Sequence, residues 1–404
     1  MDRVSRISLP SVMTSPEVRS LFAALDPSQR GEVLFVGGCV RGAVLGSYSG
    51  DMDIATTVTP EEGISLLTAK GFKVVPTGIE HGTLTVVVGG LPFEVTTLRR
   101  DVSTDGRRAV VAYTKDWRED AARRDFTMNT LLADLEGNIY DPLGRGLADL
   151  EKRQVLFVGD PDQRIKEDYL RILRFFRFHA LYGEGDPDAE ALTACERGAS
   201  HISKLSKERV TAEFLKIVGA SNAVSVLTLM RRHNVLNVLV TSRFDPALME
   251  RGLMGLLAED GEGGDAELAA RLFMVGGVHP PYFQNFEESL RLPNRLKGLM
   301  RSLANAFEQL EKIEEFALRL LLYRYGREVA MQALRIRLAV EKDSSDRWVR
   351  FLESEKQPEF PVRGEDLLRA GFSSGPEMGA HLKSLEKKWI ESGFCLSFSE
   401  LMDL

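Results

Sequence analysis

The stretch YSGDMDIATTV (residues 48–58) sets two carboxylates, Asp51 and Asp53, one residue apart at the entrance to a strand-like apolar run. Side chains i and i+2 of a strand share a face, so the pair projects together while Met52 and Ile54 turn inward. Two like charges this close repel. A hard cation relieves them: Mg²⁺ prefers carboxylate oxygens and water, and in enzymes it commonly meets a carboxylate pair together with substrate phosphates. An exposed D-x-D that binds nothing is the alternative. The upstream FVGGCVRG favours the cation, because a strand ending in Gly37-Gly38 lets backbone N–H groups approach an anion and Arg41 brings positive charge to the same turn. In LPFEVTTLRRD, alternation puts Phe93 and Val95 inward and Glu94 and Thr96 on the other face; Glu94 joins the cluster if the two strands are neighbours.

A second constellation lies in EDYLRILRFFRFHA (residues 167–180). Arg171, Arg174 and Arg177 recur every three residues among six large apolar side chains, with Asp168 one turn before Arg171. Such a stripe is ordinarily a solvated face, but hydrophobes this dense imply half-buried arginines that need partners. An acceptor beside a donor, Asp168 and Arg171, matches an edge that offers an amino group next to a ring nitrogen. Cytosine and adenine present that order; guanine and uracil present the reverse and leave buried groups unpaired. Between the two constellations, Arg107, Arg108, Arg123 and Arg124 concentrate positive charge, and Arg124 beside Asp125 reads either as a triphosphate clamp or as a salt-bridged surface turn.

The elements that must position these residues follow from period and punctuation. Ser15, Pro16, Leu21, Phe22 and Leu25 predict a helix over 13–25. EVLFVGG, DMDIATTV, FKVVPT, GTLTVVVGG and LPFEVTTL predict strands, with a helix at PEEGISLLTAKG. The result is an α/β domain of about 150 residues. From Asp162 onward the apolar spacing is helical, and Met378, Leu382, Leu385 and Trp389 mark one face of a late amphipathic helix. At 404 residues the chain is long enough for several domains. It has no apolar run of the roughly 18 residues that a bilayer requires. The opening has no apolar signal core, and the odd, scattered Cys39, Cys195 and Cys395 argue against a disulfide framework, so a cytoplasmic location with no membrane is expected. Net charge is −7, so a polyanionic partner would have to be met by local basic patches. None of the six histidines precedes an Asp, which leaves out the H-D signature of a fused phosphohydrolase.

In order and spacing, GGCVRG…GDMDIAT, FEVTTLRRD, RRDFTMNTL, YDPLGRGLADLEKR, VGDPDQRIKEDYLRILRFFRF and LSKERVTAEFLKI resemble the class II tRNA nucleotidyltransferases, the CCA-adding enzymes and bacterial poly(A) polymerases, over residues 30–220. The TDGRRAVVAYTKDWREDAARRDFT stretch and EDYLRILRFFRF most resemble the α-proteobacterial and mitochondrial-type CCA-adding enzymes, and the tail resembles the α-proteobacterial ones. The resemblance implies a polymerase-β-like α/β head followed by an all-α region, in a head, neck, body and tail order. Applied here it gives an N-terminal helical extension over 1–25, the head over 26–155, a nucleotide-template neck over 156–225, the body over 226–340 and the tail over 341–404. It implies addition of C, C and A to the tRNA 3′ end from CTP and ATP, with poly(A) polymerase or partial CC or A addition as the alternative. Partners would be the tRNA acceptor end and T arm, with oligomeric state left open. Asp51 and Asp53 would bind Mg²⁺, with Glu94 completing the cage or assisting deprotonation. Gly38, Arg41 and Arg124 would contact the nucleotide, and Asp168 and Arg171 would read the base with Arg174 and Arg177 in support. One departure stands out: the family commonly reads V-R-D after the glycine pair, and Gly42 replaces that Asp.

Overall fold

The computed structural model describes the chain except residues 29, 49, 51, 106–107, 241–244, 255–263, 279–288 and 344–345, and gives the backbone alone at 77, 101–105, 108–111 and 254. Two compact units result, Met1–Asn222 with Leu229–Val238, and Ala223–Thr228 with Leu239–Leu404.

The first unit is built on an eight-stranded sheet in the order β1-β10-β9-β2-β3-β6-β5-β4, formed by β1 (Arg3–Arg6), β2 (Val33–Val36), β3 (Asp53–Thr56), β4 (Lys73–Gly78), β5 (Thr83–Val88), β6 (Leu91–Thr97), β9 (Leu132–Ala133) and β10 (Asn138–Tyr140). All four residues of β2 are buried, the pattern of a strand covered on both faces. One cover is α1 (Pro16–Leu25), which begins where the Ser15 hydroxyl accepts from the Val18 N–H at 3.4 Å and packs Phe22 on Phe35 with ring centroids 4.7 Å apart. After β3 the chain enters α3 (Pro60–Ala69) through a capping box of Thr59 and Glu62. It then returns through β4 and β5 to lay β6 parallel to β3, with Asp53 opposite Glu94 and Ile54 opposite Val95. The neighbouring-strand condition for Glu94 is met.

Two features were not expected. Residues Arg3–Arg6 add an edge strand to the sheet, so the segment over 1–25 is not wholly a helical extension; with Val4 the one apolar residue among four mostly exposed ones, no apolar alternation signals the pairing. β7 (Arg99–Asp105) and β8 (Arg108–Tyr113) form a separate antiparallel hairpin in the arginine-rich stretch. Arg107 lies outside the described residues, and so does the side chain of Arg108.

The helices α4 (Trp117–Ala122), α5 (Gly146–Glu151), α6 (Pro161–Glu167), α7 (Leu170–Tyr182), α8 (Ala189–Gly198) and α9 (Lys207–Val218) complete this unit. Phe175, Phe176 and Phe178 of α7 are buried, which leaves Arg174 and Arg177 at the margin of the aromatic surface. Phe126 lies 4.8 Å from Phe157 and 5.2 Å from Phe178, and Phe157 stacks on Phe175 at 5.7 Å. At its edge Arg174 Nε donates to Asp125 Oδ2 at 2.7 Å, while Asp125 Oδ1 accepts from the Phe126 N–H and the Asn129 amide, each at 2.9 Å. Burial pushes the Asp125 carboxyl up, but Arg174 and these hydrogen bonds outweigh it and hold it below the ordinary carboxylate range.

The second unit is helical as far as it is described. The long helix Glu315–Glu341 breaks at Gly326, where φ is +77°, and the helices Asp265–Val275 and Asn294–Gln309 pack with it. Leu385 and Trp389 of the helix Pro376–Glu391 are buried with Val362, Leu367 and Leu401, and Met378 and Leu382 pack against them, as the spacing predicts. Among the described residues no helix is long and apolar enough to cross a membrane.

Truncating fully buried Phe175 to Ala should destabilise the first unit by about 3–5 kcal/mol, measured by urea denaturation. Because the Asp125 pKa is depressed, its stabilisation is present above about pH 4, the unfolded carboxylate value, and is lost as pH falls through the folded value. Asp125→Asn should cost about 1.5–3 kcal/mol at pH 7 by removing a charged hydrogen-bond acceptor from half-buried Arg174, which keeps Glu213 at 3.9 Å, and should make the acid limb of a pH–stability profile less steep than that of the parent chain.

Candidate active site

β2 runs into a turn at Gly37, whose φ of +70° and ψ of −123° suit glycine, and α2 (Gly38–Leu45) follows at once. The surroundings crowd toward this turn. A Cβ on Gly37 would lie 3.6 Å from Arg124 Nη1 and 3.9 Å from Asp53 Oδ2; one on Gly38 would lie 3.9 Å from Arg41 Nη2 and 4.0 Å from the same Asp53 oxygen. Two guanidiniums and a carboxylate therefore meet at the start of a helix, whose first N–H groups lack intrahelical partners and favour an anion. A polyanion would be cradled there with an acid alongside.

Asp53, at the first position of β3, is exposed, and so is Glu94 across the parallel pairing. Asp51 lies outside the described residues. Among the described residues no three His, Cys, Asp or Glu side chains converge as a metal cluster. Two exposed carboxylates on adjacent strands nonetheless fit a hard divalent cation, which takes oxygen ligands and keeps several waters. Cys39, beneath them, is not a competing ligand: burial pushes its thiol up to about 11, and the protonated sulfur donates to the Val36 carbonyl at 3.2 Å and the Asp53 carbonyl at 3.5 Å.

The arginines are anchored in different ways. Arg41 is buried; it donates through Nη1 to the Asn129 side-chain oxygen and through Nη2 to the Tyr182 hydroxyl at 3.2 Å. Arg124 is oriented by Asp120 rather than by adjacent Asp125, with Nε and Nη2 at 3.1 and 2.8 Å from Oδ2. Arg123 shares the same carboxylate at 2.6 Å. Burial raises the Asp120 pKa, and the two arginines more than reverse that. Arg174 takes Asp125, as above. Arg177 lies 2.8 Å from Glu213, which offsets only part of the lowering that burial imposes on its pKa.

Asp168 and Arg171 are not paired with one another. Asp168 Oδ2 accepts from Arg209 Nη2 at 2.6 Å, and its other oxygen accepts the Leu170 N–H at 3.1 Å. Arg171 Nη1 donates to Glu167 at 2.6 Å and to the Arg164 carbonyl at 2.9 Å, and Nη2 reaches the Arg123 carbonyl at 3.3 Å. Asp168 closes α6 in an extended conformation, so it is not on a continuous helical face with Arg171, as the spacing assumed. Reasoning from spacing also overlooked Asp120, Asn129, Tyr182, Arg209 and Glu213. Asp120 and Asn129 each lie four residues from a residue already singled out, Arg124 and Asp125, and could have been found; Tyr182 and Arg209 carried no such signal.

Three family models match: "Poly A polymerase head domain" over residues 33–156, "Probable RNA and SrmB- binding site of polymerase A" over 186–247, and "tRNA nucleotidyltransferase domain 2 putative" over 265–394. The chain is 32% identical over 412 residues to the Mus musculus protein "CCA tRNA nucleotidyltransferase 1, mitochondrial", covering 96% of this chain and 92% of the relative. It is 30% identical to the CCA-adding enzyme of Limosilactobacillus fermentum, covering 92% of each. The solved structure of the Bacillus stearothermophilus CCA-adding enzyme in complex with CTP superposes with a TM-score of 0.71 at 26% identity, covering 94% of both chains. The Thermotoga maritima CCA-adding enzyme complexed with tRNA shares the fold, with a TM-score of 0.69 at 18% identity over 100% of this chain and 98% of the other. With an α/β head, a helical remainder and these likenesses, the chain belongs to the CCA-adding tRNA nucleotidyltransferase family and is a nucleotidyltransferase.

Proposed function

We propose that this chain adds C, C and A in succession to the 3′ end of tRNA, from CTP and ATP and without a nucleic-acid template, releasing pyrophosphate at each step. The observation that carries this reading is the meeting of Asp53, Arg41 and Arg124 at the Gly37-Gly38 turn. The similarity to a CCA-adding enzyme with bound CTP supports it.

In this mechanism the α2 N-terminus, Gly38, Arg41 and Arg124 hold the triphosphate, and Asp51, Asp53 and Glu94 are the residues that would hold Mg²⁺. Bound there, Mg²⁺ supplies the charge that acidifies the primer 3′-hydroxyl and offsets the developing negative charge on the phosphates. The hydroxyl oxygen attacks the α-phosphorus in line, and the bond to the β-phosphate oxygen breaks. Glu94 is the candidate to assist removal of the hydroxyl proton. Asp168 accepts from the amino group of cytosine or adenine and Arg171 donates to the neighbouring ring nitrogen, the base displacing the Glu167 contact. Arg174 and Arg177 fix α7 through Asp125 and Glu213. The division into head, neck, body and tail at 155, 225 and 340, likeness to the α-proteobacterial enzymes, contacts to the acceptor end and T arm, and a cytoplasmic setting belong to the same proposal.

The direct test supplies tRNA lacking its 3′ end with CTP, ATP or both and sizes the product: two residues with CTP alone and three with both are expected, and long tails from ATP alone would assign poly(A) synthesis instead. Asp53→Ala should lower turnover at least about a thousandfold, the scale of losing a principal electrostatic group, with tRNA affinity retained in a filter-binding assay. tRNA affinity itself should fall steeply between about 50 and 200 mM salt as phosphate contacts release counterions; a flat response would exclude basic-patch docking.

A further inference from the structure

Beyond these roles, we propose that Tyr182 is the positioning residue that holds Arg41 for the triphosphate; this rests on the proposal that Arg41 contacts that group. Arg41 is only 7% exposed, yet no carboxylate lies within ion-pair distance of it among the described residues. Each arginine around it lies against a carboxylate: Arg123 and Arg124 share Asp120, Arg171 meets Glu167, Arg174 meets Asp125 and Arg177 meets Glu213. Arg41 is instead fixed by uncharged groups. The Asn129 side-chain oxygen takes Nη1, the Tyr182 hydroxyl takes Nη2 at 3.2 Å, and the guanidinium carbon lies 4.3 Å from the Tyr182 ring centroid and 4.9 Å from that of Phe178.

Neutral acceptors and π faces orient a guanidinium without cancelling its charge, and an aromatic face attracts the cation in a desolvated place. A carboxylate in the same position would oppose the phosphates that Arg41 has to meet. The chain leaves little space for such a carboxylate at position 42: a Cβ on Gly42 would lie 3.2 Å from Tyr48 Cα and 3.3 Å from the Ser47 carbonyl oxygen. The loop after α2 occupies that space, and support for Arg41 comes from the last turn of α7.

The test compares Tyr182→Phe, which loses only the hydroxyl, with Tyr182→Leu, which loses the ring as well, in the full chain. Two measurements are needed: steady-state kinetics on tRNA lacking its 3′ end, and calorimetric binding of inorganic triphosphate with Mg²⁺. Because the triphosphate is common to both nucleotides, KM for CTP and ATP should rise together, about 3–10-fold in Tyr182→Phe and about 10–100-fold in Tyr182→Leu, with kcat within about twofold. Triphosphate affinity should fall in parallel, and Tyr182→Leu should add nothing in an Arg41→Ala background. Unchanged triphosphate affinity in Tyr182→Leu, a KM change for one nucleotide only, or additivity with Arg41→Ala would overturn the proposal. Arg41→Ala with normal nucleotide KM and normal triphosphate affinity would instead overturn the underlying role of Arg41. Tyr182→Phe keeps the packed ring, and matching melting temperatures separate positioning from misfolding.

Discussion

The buried pair of Asp125 and Arg174 is the interaction on which the first unit turns. Arg174 belongs to α7 and Asp125 to the segment between α4 and β9, so the pair ties that segment to the helix that carries the aromatic surface. Its effect travels further. The other oxygen of Asp125 accepts the Asn129 amide, which fixes the orientation of that side chain and turns its oxygen toward Arg41. A line of hydrogen bonds therefore runs from Arg174 through Asp125 and Asn129 to the guanidinium at the glycine turn. A break in such a network is costly, because a lost partner leaves a buried polar group in a low dielectric.

The same logic resolves an apparent conflict in charge. A chain with a net charge of −7 has no general attraction for nucleotides or RNA. Local attraction is produced by spending acids internally: Asp120, Asp125, Glu167 and Glu213 each lie against arginines and fix their directions. Asp53 and Glu94 stay exposed on adjacent strands, where the parallel register sets them side by side. The site thus has a cationic wall whose geometry is held by buried acids and an anionic edge that a divalent ion suits.

Much of this was legible in the chain. Short β-branched or aromatic runs bounded by Gly and Pro located β2 to β6, and the alternation in β6 put Glu94 on the face opposite Phe93 and Val95 before its neighbour was known. The helical period marked α1, α3 and the Met378-to-Trp389 face equally well. What was not legible depends on tertiary pairing. β1 is four residues with no apolar pattern, given its role by β10, which lies more than 130 residues away. The choice of acid for each arginine was likewise hidden: Arg124 has Asp125 as its neighbour in sequence, yet helix geometry gives it Asp120, and Arg174 reaches 49 residues back for Asp125.

That lesson bears on base selection. Under the proposed function, a guanidinium and a carboxylate that read a nucleobase would carry a desolvation cost in every empty cycle if left unpaired in a half-buried place. Asp168 and Arg171 instead rest against Arg209 and Glu167. Exchange of those contacts for a base edge is close to balanced only when the edge offers a donor to Asp168 and an acceptor to Arg171. Under the proposed function a reversed edge would break both resting pairs and return nothing, because guanine or uracil would meet Asp168 and Arg171 with like against like. The cost of opening the resting pairs is common to every base, so under the proposed function Arg209 and Glu167 set affinity for matched and reversed edges alike, and the ratio between those edges resides in Asp168 and Arg171.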